Sequence, residues 1–440
     1  MEKRKNNGFL KGAATIAAGG FLAKVIGAFY RIPLTNLIGG HGMGLYQLVY
    51  PVYCLLLTVS ATGIPSSIAK LTAERVGKGE TAHNVLKTAM RLFLIIGGVG
   101  ALLMCVTAPF LSAAQNSKEI TSGYFTLAPS VFLVSAISVL RGWFQGKNQM
   151  FPTAASEVIE QLVKVGFGLF FAYRYRDNVE KAVVFLLLAV TLSEAVAFLL
   201  MWGFYRRDKK KMEYGNEGGR VEMKQVLRLS IPVTLSAMLL PLSNLLDSVL
   251  VVRLLGAYAP DPVALYGLFS GGAVTVINLP VSVCYGVAAA SIPAVASAQT
   301  GKRKKVFFAL GITILLATPA SLGLYAFARP LSQFIFRSLK GDELDTLVTL
   351  IRIFSVSALT LSCAQTLSAC LTAQGKPQYA AISMLLSVVV KTGVYVFLLQ
   401  NPQISVFGLA HAGNVCYLVA FLLNLLYNLK VSKRVRRKQT

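Results

Sequence analysis

The sequence predicts an all-α polytopic membrane protein, with about twelve transmembrane helices in two pseudo-symmetric lobes of six. Three observations predict it: an apolar composition, a succession of helix-length apolar runs, and an internal repeat at half-chain spacing. Of 440 residues, 55% are hydrophobic and 14% are charged, against about 25% charged in soluble domains. Mean hydropathy is +0.62. A chain this long and this apolar needs lipid to cover its surface.

A helix needs about 20 mostly apolar residues to cross the hydrocarbon core. Runs at 10–31, 44–68, 88–110, 123–144, 153–173, 182–204, 229–254, 264–298, 306–327, 346–370, 378–399 and 404–429 meet that length. Lys3-Arg4-Lys5 before the first run resembles a signal-peptide start. The run carries Lys24 and reaches Arg31 without a cleavage site, so it reads as an uncleaved first helix. The eighth run is long and holds Pro280 and Pro293, so a kink or break is expected at those prolines.

The formal net charge is +25. In a soluble protein that would point to nucleic acid. Here the basic residues sit in short loops, and no nucleic-acid module is readable, so nucleic acid is not an expected partner. Lys70, Arg75, Lys78 and Lys87 follow the second run, and Arg141 and Lys147 the fourth. Arg206, Arg207, Lys209, Lys210 and Lys211 follow the sixth, and Lys302 to Lys305 the eighth. Lys376 follows the tenth, and a basic tail closes the chain. These segments alternate onto one face, which the positive-inside rule assigns to the cytoplasm together with both termini.

The repeat is read from four matches in the same order. Leu37-Ile38-Gly39 recurs as Leu254-Leu255-Gly256, and Leu45-Tyr46 with Ile64-Pro65 as Leu265-Tyr266 with Ile292-Pro293. Ala108-Pro109 is echoed by Ala328-Arg329-Pro330, and Gln145-Gly146-Lys147 by Gln374-Gly375-Lys376, at offsets of 217 to 229. Six helices per unit gives both halves the same topology, related by an axis along the membrane normal with a substrate path between them. The predicted organisation is an N-terminal lobe at 1–205, a cytoplasmic inter-lobe loop at 206–228, a C-terminal lobe at 229–430 and a basic tail at 431–440.

An ionisable group at the bilayer centre costs about 2.5–3.5 kcal/mol on insertion scales, so such residues face a cavity, pair or snorkel. Lys24 and Arg31 lie seven apart on the first helix, with Gly20 and Gly27 on the same stripe. They either line a water-filled path or snorkel, Arg31 being near the outer end. In the fifth helix Glu157, Glu160, Gln161 and Lys164 make one polar face, with Glu160 and Lys164 spaced for an i, i+4 ion pair. That face either lines the path or is the cytoplasmic end of a helix held by a salt bridge. Glu194 and Asp247 are acidic residues inside spans and candidates to carry a coupling proton or cation. Arg253, Arg352 and Lys391 are cationic candidates of the second half, Lys391 the most deeply placed. Cations outnumber acids in and near the spans, which suits an anionic phosphate or pyrophosphate substrate.

Cys54, Cys105, Cys284, Cys363, Cys370 and Cys416 all lie in apolar runs without a CxxC pair, and His41, His83 and His411 are far apart, so no metal is expected. There is no Walker lysine motif, HExxH or GxSxG. The expectation is a transporter, not an enzyme.

Arg141-Gly142-Trp143-Phe144-Gln145-Gly146-Lys147, Pro152-Thr153-Ala154 and Glu160-Gln161-Leu162-Val163-Lys164-Val165 resemble the fourth-to-fifth helix signature of the SpoVB-like polysaccharide transporters. So do Gly44-Leu45-Tyr46-Gln47-Leu48, Gly63-Ile64-Pro65-Ser66-Ser67-Ile68-Ala69-Lys70, and Ile231-Pro232 followed by Asp247 and Arg253-Leu254. That family belongs to the MATE/MOP superfamily, with the Wzx-type and MurJ-type flippases. The resemblance implies two six-helix lobes around a central cavity in a bacterial plasma-membrane protein. It implies an undecaprenyl-pyrophosphate-linked sugar, lipid II or a polysaccharide precursor, turned from inner to outer leaflet by alternating access. Lys24 and Arg31 resemble the first-helix arginine pair that handles pyrophosphate in MurJ-like relatives; the second and eighth helices here carry no interior arginine. Many relatives have two further C-terminal helices that form a groove for the lipid tail, so that groove is expected to be missing here or built otherwise.

The expected binding set is therefore Lys24, Arg31 and Lys391 on the diphosphate and Arg141 and Lys164 near the cytoplasmic mouth, with Gln145, Glu160, Gln161, Arg253 and Arg352 as further candidates. No cofactor is expected, the drive coming from H⁺ or Na⁺ coupling or from the membrane potential. Membrane lipids and cell-wall or polysaccharide synthases are the other expected partners. The competing readings are a cation-coupled MATE-type drug exporter, which predicts an acid-rich, aromatic-lined cavity, and a non-transporting scaffold for envelope or spore-coat synthesis.

Overall fold

The computed structural model describes the backbone of residues 2–209, 223–296 and 301–437; side chains are described from Gly19 onward, Lys24 being among those left out. Most of the predicted inter-lobe loop, residues 210–222, and the end of the tail therefore lie outside the described residues.

In chain order the helices are α1 (Glu2–Leu57), α2 (Ile64–Gly77), α3 (His83–Ala114), α4 (Thr121–Gly146), α5 (Phe151–Arg174), α6 (Val179–Lys209), α7 (Met223–Ala237) and α8 (Leu239–Leu255). Then follow α9 (Pro262–Gly267), α10 (Val274–Ala296), α11 (Lys302–Ala326), α12 (Ala328–Ile335), α13 (Gly341–Phe354), α14 (Val356–Ala373), α15 (Pro377–Leu398) and α16 (Phe407–Arg437). No strand occurs among the described residues. Helix starts follow local rules: Pro65, Pro152, Pro262 and Pro377 stand in the first turns of α2, α5, α9 and α15, where a missing N–H costs nothing.

The apolar runs all fold as helices, with differences at the joints. Gly39 (φ 70, ψ −174) separates the first and second runs inside α1, a left-handed position at no steric cost for glycine. The eighth run continues as helix through Pro280; its irregularity is a π turn at Leu268–Ala273 containing Gly271 and Gly272, just as Thr58–Thr62 makes a π turn in the second. Proline is tolerated inside spanning helices, as also at Pro109, Pro129 and Pro319. Nine helical stretches among the described residues are long and apolar enough to cross a membrane, the first two runs counting as one. The fifth and seventh are missing from that set for physical reasons. α5 carries Glu157, Glu160 and Lys164 in its span, and the seventh is broken near Met238 into pieces of 15 and 17 residues.

The chain forms two compact units: the residues up to Tyr30 with Leu48–Leu245, and Arg31–Gln47 with the residues from Leu246 on. In the first, the core gathers Ile68, Leu86, Phe93, Leu140, Trp143, Phe144 and Val226, with Trp143 edge-on to Tyr205 at 5.6 Å. The 141–147 motif is in part a packing device. A Cβ on Gly142 would stand 2.7 Å from Pro65 Cα, and one on Gly146 2.5 Å from Thr72 Cβ. Two glycines four residues apart thus let α4 lie directly on α2, the small-xxx-small contact of membrane helices. The repeated Gln-Gly-Lys ends a helix in both halves, in different registers. In the first copy the left-handed residue is Asn148 (φ 60), beyond the motif; in the second it is Gly375 (φ 72), inside it.

In the second unit, asparagines of α16 clamp neighbouring helices. Asn414 Nδ2 donates to the Ile353 carbonyl at 2.6 Å, Asn424 Nδ2 to Ala364 at 3.1 Å and Asn428 Nδ2 to Leu367 at 3.1 Å. Such polar contacts hold helices together where lipid removes the hydrophobic drive. Segment 31–47 belongs here: Asn36 Nδ2 donates to the Ile335 carbonyl at 2.7 Å, and Gln47 Nε2 to Ser270 at 3.2 Å.

Candidate functional site: two buried ion-pair clusters

Each unit encloses ionisable side chains among its helices. In the first, Arg141 extends from α4 toward α5. Its Nε donates to Ser156 Oγ at 2.9 Å, and its Nη2 to Glu160 Oε2 at 2.9 Å, with both charged side chains 15% exposed. Ser156 and Glu160 lie four apart and so share one face of α5. Gln161 Nε2 reaches Glu160 Oε1 at 3.4 Å. Beside this pair, Tyr53 donates its hydroxyl to Glu194 Oε1 at 3.1 Å, with Tyr53 2% and Glu194 4% exposed. Glu157 and Glu194 act electrostatically on Arg141, and Lys164 on Glu194, so residues from α1, α4, α5 and α6 form one charged cluster.

The expected spacing pair Glu160–Lys164 thus has a competitor. Glu160 gives its Oε2 to Arg141, whose guanidinium offers two donors in a fixed fork. The glycine stripe of α1 meets this polar face directly. A Cβ on Gly20 would lie 3.6 Å from Glu157 Oε2, and one on Gly27 3.3 Å from Gln161 Oε1. Lys24 falls on the same stripe; its side chain lies outside the described residues.

In the second unit, Lys391 of α15 donates to Asp247 Oδ2 of α8 at 2.5 Å, both side chains 15% exposed. The other carboxylate oxygen of Asp247 is buried without a donor among the described residues. Tyr266 and Tyr395, both buried, are within electrostatic reach of Asp247. Arg31 belongs to this unit, half-buried, with no carboxylate partner among the described residues. Arg253 and Arg352 are exposed at the ends of α8 and α13, and Gln145 is half-buried at the end of α4. The structure therefore joins Arg141, Glu160, Gln161, Glu194 and Lys164 in one cluster, and Asp247 with Lys391 in another. Arg253, Arg352, Arg31 and Gln145 stand outside both.

Three participants escaped the sequence reading. Tyr53 sits in an apolar run with nothing to mark its hydroxyl, whereas Ser156 could have been found from its i, i+4 spacing to Glu160. The third is His41, between the first two apolar runs. Its Nδ1 lies 2.8 Å from Asp261 Oδ2, while Asp261 Oδ1 caps α9 by accepting from Ala264 N at 2.8 Å. Glu343 stands beside them. Burial pushes its carboxyl above the usual range, with Asp261 adding and His41 opposing.

Comparison with known proteins assigns the chain. Residues 9–299 match the family described as polysaccharide biosynthesis protein, and residues 232–396 match MatE. Stage V sporulation protein B of Bacillus subtilis (strain 168) is 27% identical over 92% of this chain and 80% of its own length. The lipid II flippase MurJ of the same organism is 22% identical over 97% and 82%. A solved inward-facing multidrug resistance MATE family transporter of the MOP superfamily superposes with a TM-score of 0.78 at 17% identity, covering 93% of this chain and 95% of that one, a likeness of fold alone. The apolar helices and the family match agree: this multi-pass membrane protein belongs to the family described as polysaccharide biosynthesis protein.

Proposed function

We propose that the protein flips an undecaprenyl-pyrophosphate-linked sugar from the inner to the outer leaflet by alternating access. The observation that carries the reading is the family match together with paired basic and acidic side chains held among the helices. Sugar hydroxyls and a diphosphate cannot cross hydrocarbon unaided, because each unpaired polar group costs several kcal/mol. A wet polar path solves this while the polyprenyl tail stays in lipid.

Within that reading, the ion pairs divide the work. Arg141 and Lys391 are committed to Glu160 and Asp247. The positive charge offered to the diphosphate comes first from Lys24 and Arg31 of the first helix. Glu194 or Asp247 takes the coupling H⁺ or Na⁺. An inside-negative potential helps the anion leave: two negative charges crossing the full field gain roughly 4–5 kcal/mol per 100 mV. The basic loops support cytoplasmic termini.

Two assays test this. Purified protein in liposomes should move a fluorescent lipid-linked sugar between leaflets. Expression in a strain depleted of its lipid II flippase separates substrates: rescue identifies the peptidoglycan precursor, and flipping without rescue another glycan lipid. Drug resistance on expression with no lipid movement would favour the MATE-type exporter. Absence of any transport with retention of synthases on purification would favour the scaffold.

A further inference from the structure

We infer that the second unit holds a separate, uncharged subsite for the saccharide part of the substrate, in a half-open cavity lined by α10, α14, α15 and α16. The inference rests on the flippase reading and adds to it where the glycan sits. The cavity has a volume of about 370 Å³, within the roughly 300–1,000 Å³ of small-ligand sites.

Its chemistry selects the occupant. The polar lining comes from the tyrosines Tyr285 and Tyr417, the hydroxyls of Ser368 and Thr372, and the amides of Gln365 and Asn424; no charged residue lines it. A diphosphate would be desolvated there without a counter-charge, at great cost. A hydrocarbon tail would leave the amides unmet. The Gln365 Oε1 and Asn424 Oδ1 oxygens are buried with no donor among the described residues, whereas native interiors rarely leave such groups unpaired. Asn424 is held in place by its Nδ2 bond to the Ala364 carbonyl at 3.1 Å. A sugar meets each demand: its hydroxyls donate to amide oxygens and accept from amide N–H and side-chain hydroxyls, and its C–H face lies on tyrosine rings that are apolar in body and polar at the tip. Neither member of the Lys391–Asp247 pair lines this cavity, so charge recognition and glycan recognition use different side chains.

The test is equilibrium binding of two probes to the full-length protein in nanodiscs: undecaprenyl diphosphate, and the same lipid bearing one N-acetylhexosamine. Gln365→Leu removes the amide at nearly constant volume, Ala369→Phe fills the cavity, and Gly203→Ala, outside the cavity lining and with open space around it, is the control for folding. All are compared at matched monodispersity. Gln365→Leu and Ala369→Phe should weaken the sugar-bearing probe about tenfold, the size of a lost hydrogen-bond set, and leave the bare lipid unchanged. Equal weakening of both probes would place the tail or the diphosphate in the cavity and overturn the inference, as would binding unchanged for both. Failure of the wild-type protein to bind either probe would instead remove the flippase reading, and this subsite with it.

Discussion

Arg141 and Glu160 face each other at 2.9 Å across α4 and α5, each 15% exposed, with Ser156 taking the second guanidinium donor. Removing one member of such a pair strands the other charge in a poorly solvated site, which costs about 3–5 kcal/mol, while replacing both with apolar residues of similar size is far milder. Arg141→Met should therefore lower the unfolding temperature in detergent sharply, and Arg141→Met with Glu160→Met should recover most of it. Equal damage from single and double variants would contradict an energetic coupling of the two.

Lys391 and Asp247 allow the same comparison with transport as readout. Lys391→Met and Asp247→Asn should each reduce flipping at least tenfold at normal membrane abundance. The double variant should regain stability without regaining flipping, because the buried charges that the reading assigns to transport are gone. Full flipping by the double variant would reduce the pair to a structural clamp.

On the α1 stripe, Lys24→Ala and Arg31→Ala should weaken binding of bare undecaprenyl diphosphate, each by about tenfold, an effect of the size of a hydrogen bond to a charged group. Lys24→Arg and Arg31→Lys should retain much of it. Wild-type affinity in both alanine variants would remove the first helix from the diphosphate site.

Gly142 tests packing alone. A Cβ there would stand 2.7 Å from Pro65 Cα, a backbone atom that cannot step aside. Gly142→Ala should cost about 1–3 kcal/mol through overpacking, read as lower thermal stability, and Gly142→Leu should abolish folded protein. Gly203, with open space around it, is the control: alanine there should be neutral or slightly stabilising, as alanine is the better helix former.

Glu343 gives a pH signature. Its carboxyl is raised in the folded state by burial and by Asp261, so folding holds its proton more tightly than the unfolded chain does. That contribution is complete at acidic pH and is lost as pH rises through the raised value. Glu343→Gln should flatten this part of the stability profile and gain most against wild type at neutral pH. An unchanged profile would show that the carboxyl holds its proton equally in the folded and the unfolded chain.

Helices were legible because hydropathy in lipid leaves the backbone no alternative, and every apolar run is helical, although the seventh and tenth are each divided in two. Side-chain partners were less legible. The spacing of Glu160 and Lys164 announced an i, i+4 pair, yet the guanidinium of Arg141 on another helix took the Glu160 oxygen; periodicity within one helix carries no information about its neighbour. Asp247 and Lys391, 144 residues apart, were singled out individually because each charge was anomalous in its own span, and their contact needed the fold. The π turns left no mark that the prolines did not obscure: Pro280 drew the expected break, while Gly271 and Gly272 made it.

Those π turns have a geometric consequence. A π turn takes up one residue more than an α turn, and one residue corresponds to about 100° of rotation and 1.5 Å of rise. Side chains beyond Thr62 and beyond Ala273 are therefore swung by roughly a quarter turn from where an unbroken helix would aim them. Deleting a single residue from Thr58–Thr62 would keep the hydropathy and length of the segment almost intact while pointing Ile64, Ile68 and Thr72, now fully buried, away from their sockets.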